Sequence, residues 1–177
     1  MVEDENSSDA SVELQKAIAS GCRMLAIREH SKKQIRAKLL KKGFSKTLIN
    51  LCIDYLIEHD WLSESRFCNA FIRSRVNKGQ GLQRVVAELS QQQIAQSTIK
   101  QQLAIEEIDW QSVCETALLK KISVFSVDDK KNLEGKSQYL VSVDMKEFKK
   151  LESFLRYRGF SNEEIRFTTK QYLSIEH

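Results

Sequence analysis

The chain of 177 residues contains no proline and only six glycines. Proline supplies about 5% of an average protein, and together with glycine it punctuates sheets and long irregular loops. Without that punctuation, an all-α chain with short turns marked by serine or glycine is the economical expectation. No apolar run approaches the roughly 20 residues that span a bilayer. The first 13 residues hold Glu3, Asp4, Glu5, Asp9 and Glu13 and no Lys or Arg, the reverse of a basic signal-peptide start. A cytoplasmic protein with no membrane partner is therefore expected. Four cysteines, at 22, 52, 68 and 114, are widely spaced, form no C-x-x-C pair and sit among apolar neighbours. Buried free thiols in a reducing cytosol follow.

Signs of catalysis are equally scarce. There is no glycine-rich phosphate loop, no H-E-x-x-H and no G-x-S-x-G, the patterns that cradle phosphate, bind zinc or expose a nucleophile. Of three histidines, His30 falls at a helix junction, His59 at a helix end and His177 at the terminus. Such scattered positions do not make a metal site. Glu106 and Glu107 read as solvated helix surface. The expectation is a protein that is not an enzyme, with no cofactor, no metal and no small-molecule substrate.

What the chain has instead is repetition. "LLKKGFSKTLI" (39–49) and "FLRYRGFSNEEI" (154–165) say nearly the same thing. Moved along by 116 residues, Ile35 falls on Leu151, Leu39 on Leu155, Gly43 on Gly159, Phe44 on Phe160, Ser45 on Ser161 and Ile49 on Ile165. Moved by 50, Ile35 falls on Val85, Leu39 on Leu89, Phe44 on Ile94, Ile49 on Ile99 and Ile53 on Leu103. This middle copy keeps the apolar skeleton but has Gln93 for glycine and Ala95 for serine. Self-similarity of this kind defines the fold before any single element does.

Each copy reads as a helix, a tight turn and a second helix. Ile35, Leu39 and Leu40 line one helical face. Ser31 with Gln34 is spaced as a capping box, as are Asp144 with Glu147 and Ser161 with Glu164. Gly43 stands where a helix end needs a left-handed residue, with Phe44 folding back on the last turn. Ser45 starts the next helix, whose stripe is Leu48, Ile49, Cys52, Ile53, Leu56 and Ile57. A further helix precedes each pair, near 11–28, 64–77 and 109–122. The expected organisation is a flexible acidic N-terminus (1–10), followed by three-helix repeats at 11–60, 61–107 and 108–177. An irregular insertion lies at about 123–144, and strands, if present, belong there. "HDWLSESR" (59–66) joins the first two repeats tightly, with Trp61 and Trp110 as packing anchors.

The net charge is only +4, but its distribution is uneven. Residues 23–48 carry nine Lys or Arg against one acid, Glu29. Arg66, Arg73, Arg75, Lys78 and Arg84 follow with no acid between them. Such runs are usually solvated helix surface, yet nine like charges repel one another unless a negative partner relieves them. In "RSRVNKGQG" (73–81) the glycines either terminate a helix or let the backbone approach something closely. An exposed aromatic platform for single strands is not evident.

Taken in order, "REHS" (28–31), "KGF" (42–44), "SRFCNAFIRSR" (65–75), "KGQG" (78–81), "DW" (109–110) and "RYRGFSNEEI" (156–165) resemble the RecX family of bacterial recombination regulators. The resemblance spans about residues 15–174. It implies three tandem three-helix repeats stacked into a curved, elongated, monomeric molecule. It also implies a non-enzymatic modulator of the RecA recombinase that lies in the groove of the RecA–DNA filament. Such a protein inhibits ATP hydrolysis, strand exchange and filament growth. RecA, the filament and DNA phosphates are then the partners, with Arg28, Lys32, Lys33, Arg36, Arg66, Arg73, Arg75, Lys78 and Arg84 as candidate contacts. The other reading of the same basic helices is a DNA-binding module that acts independently of RecA.

Overall fold

In a computed structural model, residues 3–125 and 141–175 are described, and they form nine α-helices and one pair of short strands. The helices are α1 (Glu3–Ile27), α2 (Lys32–Lys41), α3 (Lys46–Glu58), α4 (Glu64–Asn77) and α5 (Leu82–Gln91). They continue with α6 (Gln96–Glu106), α7 (Trp110–Phe125), α8 (Met145–Tyr157) and α9 (Asn162–Tyr172). The strands are β1 (Val141–Val143) and β2 (Leu173–Ile175). The all-α expectation is borne out. Helix α1 starts at Glu3, ahead of the start near residue 11 read from periodicity. Most of the 123–144 insertion lies outside the described residues.

The same turn closes the second helix of each triplet. The Phe44 amide donates to the Leu39 carbonyl at 3.3 Å and the Gly43 amide to Leu40 at 3.0 Å. The Ile94 amide reaches Leu89 at 3.3 Å, and the Phe160 amide reaches Leu155 at 3.3 Å. This is the Schellman arrangement, which needs a left-handed residue just past the helix. Gly43 and Gly159 supply it at φ 89°, and Gln93 supplies it at φ 63°. The middle copy therefore keeps the turn after losing the glycine, with a side chain held where L-residues are strained. Asp60 ends α3 in the same way, at φ 53° with the Trp61 amide on Leu56.

The serine starts also hold. Ser31, Ser45, Asp144 and Ser161 each accept the amide three residues on. Only Ser161 has its capping box closed in both directions, with Glu164 returning to the Ser161 amide. At Ser31 the Gln34 side chain turns away instead and donates to Gln92 Oε1 at 3.2 Å, which the Ser31 hydroxyl also meets at 3.1 Å.

The chain divides into two compact units. The first comprises residues 1–71 and 89–105. Its main core joins Ala17 of α1, Ile35 and Leu39 of α2, and Ile49, Cys52, Ile53 and Leu56 of α3, closed by Leu62. The apolar stripes are narrower than periodicity predicts. Leu40 is 52% exposed and Ile57 38%, because each falls one step past the strip that its neighbours bury. The second unit comprises residues 72–88 and 106–177. Its core draws Cys114, Leu118 and Ile122 from α7, Leu151 and Leu155 from α8, Ile165 from α9, and Phe160, Val143 and Leu173.

Strand β1 falls inside the 123–144 stretch, but its partner does not. β2 directly follows α9 and pairs with β1 in parallel, Val141 opposite Leu173 and Val143 opposite Ile175. Confinement of strands to 123–144 is thus corrected. A parallel pair needs a crossover, here α8 and α9, and three residues past a helix carry no periodicity to announce a strand.

Burial separates the two phenylalanines that follow the glycine turns. Phe160 is 1% exposed and Phe44 is only partly buried. Phe160→Ala should cost about 3–5 kcal/mol and Phe44→Ala clearly less, as read by urea unfolding; equal losses would contradict this burial. At the middle turn, Gln93→Val should destabilise by about 1–2 kcal/mol, because a branched side chain resists the left-handed region. Gln93→Gly should be neutral or slightly stabilising in the same measurement, since relieved strain is partly offset by a freer unfolded chain.

Candidate nucleic-acid interface

The basic positions singled out in the sequence divide into those held by carboxylates and those that are not. In the first unit, Arg66 is the most engaged. Its Nε donates to Glu29 at 3.0 Å and its Nη1 to Asp60 at 2.9 Å, while Nη2 reaches the Asp60 and Trp61 carbonyls at 2.6 and 3.1 Å. These bonds hold its guanidinium more firmly protonated, the Asp60 hydrogen bond most of all. Arg66 thus closes the α3–α4 connection. Lys32 lies 3.6 Å from Glu64.

Three candidates on or beside α2 have no carboxylate within 4.0 Å among the described residues. Arg28 donates to the Glu29 carbonyl at 2.9 Å and to Gln34 at 3.2 Å. Lys33 donates to the Gln91 carbonyl at 2.6 Å, and Arg36 to Asn50 Oδ1 at 2.5 Å. All three are exposed. Neutral acceptors orient these cations and leave their charge uncompensated. Lys33, Arg36 and Lys41 lie on one exposed stripe of α2, opposite buried Ile35 and Leu39.

In the second unit the pattern reverses. Arg73 pairs with Glu106 at 2.9 Å, Arg84 with Glu88 at 2.8 Å, and Arg75 Nε lies 2.7 Å from the same Glu88. Glu88 therefore sits between two arginines. Arg84 also donates to the Tyr157 carbonyl at 3.1 Å and lies 4.9 Å from that ring's centroid. The side chain of Lys78 is exposed. Arg73 is exposed, whereas Arg75, Arg84, Glu88 and Glu106 are half-buried, and the pairs remove net charge from the surface. Glu88 lies four residues after Arg84, a helical-pair spacing legible in the sequence. Glu106, 33 positions from Arg73, carried no such signal.

The glycines of "KGQG" do let a backbone approach closely, and what approaches is the same chain. Gly79, at φ 65°, ends α4. The Gly81 amide donates to the Arg158 carbonyl at 2.9 Å and the Gln83 amide to the Gly159 carbonyl at 3.1 Å. A Cβ on Gly81 would stand 2.4 Å from the Gly159 oxygen. Arg158 Nη1 returns to the Lys78 carbonyl, and to that of Gly79 at 3.2 Å. Two motifs that are similar in kind but far apart in the chain interlock, main chain to main chain, so these glycines are not free for a partner.

The histidine at the α1–α2 junction is structural. His30 is 2% exposed, with Nδ1 2.8 Å from the Arg28 carbonyl and Nε2 2.9 Å from Lys38 Nζ. Nδ1 must donate and Nε2 accept from the ammonium, which fixes a neutral ring. Trp61, expected as a packing anchor, is 47% exposed. It lies edge-on to Tyr55, which stacks on His59 with ring centroids 3.9 Å apart. This surface aromatic group was missed because its members are spread over two elements. Cys52, Cys68 and Cys114 are buried as expected, and burial pushes their thiols up to about 11, whereas Cys22 is only half-buried. No group of three or more His, Cys, Asp or Glu is gathered for a metal among the described residues, and no helix among them is long and apolar enough to cross a membrane.

Comparison with known proteins gives one consistent answer. The family model of the RecX first three-helix domain matches residues 17–56, and that of the second three-helix domain matches 63–103. The regulatory protein RecX of Vibrio parahaemolyticus is 32% identical over 144 residues, 81% of this chain and 83% of that one. RecX of Halorhodospira halophila is 31% identical over 81% of this chain and 80% of its own. The crystal structure of RecX from Lactobacillus salivarius superimposes with a TM-score of 0.66 at 18% identity, covering 90% of this chain and 96% of that one. A second RecX crystal structure gives 0.73 at 14%, with 96% and 80% covered.

His30 makes stability depend on pH. Burial foremost, with the charges of Arg28 and Lys38, holds its folded pKa below the ordinary value; the Arg28 carbonyl and Glu29 act in the opposite sense. Unfolded, it takes up a proton near pH 6.5; folded, only at lower pH. Between the two values the unfolded chain binds more protons, so stability falls as pH falls. The melting temperature should hold above about pH 6.5 and decline below it. In His30→Gln the decline should be shallower, and parallel curves would exclude His30 as the source.

Proposed function

The chain belongs to the RecX family of regulatory proteins, and from that premise we propose that it is a non-enzymatic regulator of the RecA recombinase that binds the RecA–DNA filament. It acts in the cytoplasm as a monomer and restrains RecA ATP hydrolysis, strand exchange and filament growth. One observation supports the binding mode above the others: the exposed stripe Lys33, Arg36 and Lys41 on α2 carries charge that no carboxylate of the described residues offsets. A repeated helical unit suits a helical partner, because successive units can meet equivalent surfaces one step along it. Among the candidates, Arg28, Lys33, Arg36 and Lys78 are the cations best placed to meet phosphates or acidic side chains. Lys32, Arg66, Arg73, Arg75 and Arg84 serve the protein's own acids first.

Binding measured against RecA–DNA filaments, bare DNA and free RecA tests this reading. Filaments should bind far more tightly than either component alone, and equal affinity for bare DNA would favour the RecA-independent DNA-binding module. Lys33→Glu with Arg36→Glu should weaken filament binding at least tenfold. If the pair meets DNA, the salt slope should flatten by about one for each phosphate that is no longer neutralised. Arg73→Glu with Arg75→Glu should change the slope less, since their charge is already paired. A larger effect from that second pair would move the interface to the second unit.

A further inference from the structure

A groove of about 600 Å³ opens in the second unit between the end of α4, the outer face of α7 and α8. That volume lies within the range of small-ligand sites, roughly 300–1,000 Å³. Four cations line it, Lys78, Lys120, Lys121 and Arg158, and among the described residues no acid does. Neither Lys78 nor Lys120 has a carboxylate within 4.0 Å among the described residues. Both are exposed.

The rest of the groove is not simply charged surface. Val76, Val113, Ala117 and Phe154 give it an apolar floor. Arg158 lies 4.8 Å from the Phe154 centroid and Lys121 lies 5.5 Å from it, so the ring helps fix two of the cations in place. The end of α4 would ordinarily repel an anion, because its last carbonyls carry the negative end of the helix dipole. Arg158 sets a positive charge there, donating to the carbonyls of Lys78 and Gly79 just past the helix end. The hydroxyls of Ser112 and Thr116 also line the groove. The nearby acid Asp109 is turned to its own helix start, accepting the Ser112 hydroxyl at 2.6 Å and the amides of Gln111 and Ser112.

We propose that this groove is a nucleotide-binding site. Lys78, Lys120 and Arg158 receive the phosphate, and the apolar floor receives the flat body of the nucleotide. The proposal goes beyond the regulatory reading and does not rest on it: the two share Lys78, but the cations of α2 that carry that reading play no part here. The nucleotide has two possible sources, a free nucleoside triphosphate or one residue of a single strand.

Calorimetry with ATP and fluorescence anisotropy with a labelled oligothymidylate, both on the full chain at low salt, test it. The comparison sets Lys78→Ala/Lys120→Ala against Lys149→Ala/Lys150→Ala, which removes the same charge from α8 outside the groove lining. Arg158 is left intact because it holds the α4–α5 turn, and circular dichroism confirms folding. At least tenfold loss of ATP affinity in the groove variant alone supports the site with a free nucleotide as ligand. The same loss for the oligothymidylate alone supports it with a strand as ligand, and loss of both supports a site that accepts either. For the strand, the salt slope should also flatten by about 0.7 for each phosphate that is no longer neutralised. No measurable binding of either ligand by the wild-type chain, or equal losses in both variants, overturns the proposal. Because the regulatory reading rests on α2, its own test with RecA–DNA filaments can fail or succeed independently of this one.

Discussion

The architecture depends on one hydrogen bond made three times. In each triplet, the amide just past a left-handed residue donates to the carbonyl five positions back, at 3.3 Å from Phe44, Ile94 and Phe160 alike. The bond satisfies a carbonyl that the helix end would otherwise leave open. It also fixes where the next helix begins and swings an apolar side chain back over the turn. Without it, the paired helices could not bring Ile35 and Leu39 to meet Ile49 and Ile53, or Leu151 and Leu155 to meet Ile165.

The third copy of this turn is used twice. Its Arg158 and Gly159 carbonyls accept the amides of Gly81 and Gln83, and its arginine caps the end of α4. A motif that ends one helix therefore also anchors another turn. This accounts for the glycine at 81, where a side chain would collide with the Gly159 carbonyl. Arg84 is drawn into the same contact through the Tyr157 carbonyl and ring. An arginine that reads as free positive charge in the sequence is thus structural in the fold.

Electrostatics divides the candidate surfaces along similar lines. Arg66, Arg73, Arg75 and Arg84 come from runs without a local acid, yet each finds one from a different element or a different turn. The long uninterrupted run on α2 is offered chiefly neutral acceptors, Gln91, Asn50 and His30. There, and at Lys78, the imbalance written in the sequence remains an imbalance on the surface.

The helices, the turns and the periodic core were legible in the sequence, because each rests on neighbours within five residues. A serine finds an amide three positions on, a glycine allows a left-handed φ, and apolar residues recur at helical spacing. Even the membership of the family followed from motifs in order. Tertiary structure alone decided which cations stay unpaired, since Glu29 and Arg66 or Arg73 and Glu106 meet across 37 and 33 positions. It likewise decided that Leu173–Ile175 would find a strand partner, and that "KGQG" would face the chain itself. These contacts join residues distant in sequence, and no local pattern encodes which distant surface a side chain will meet.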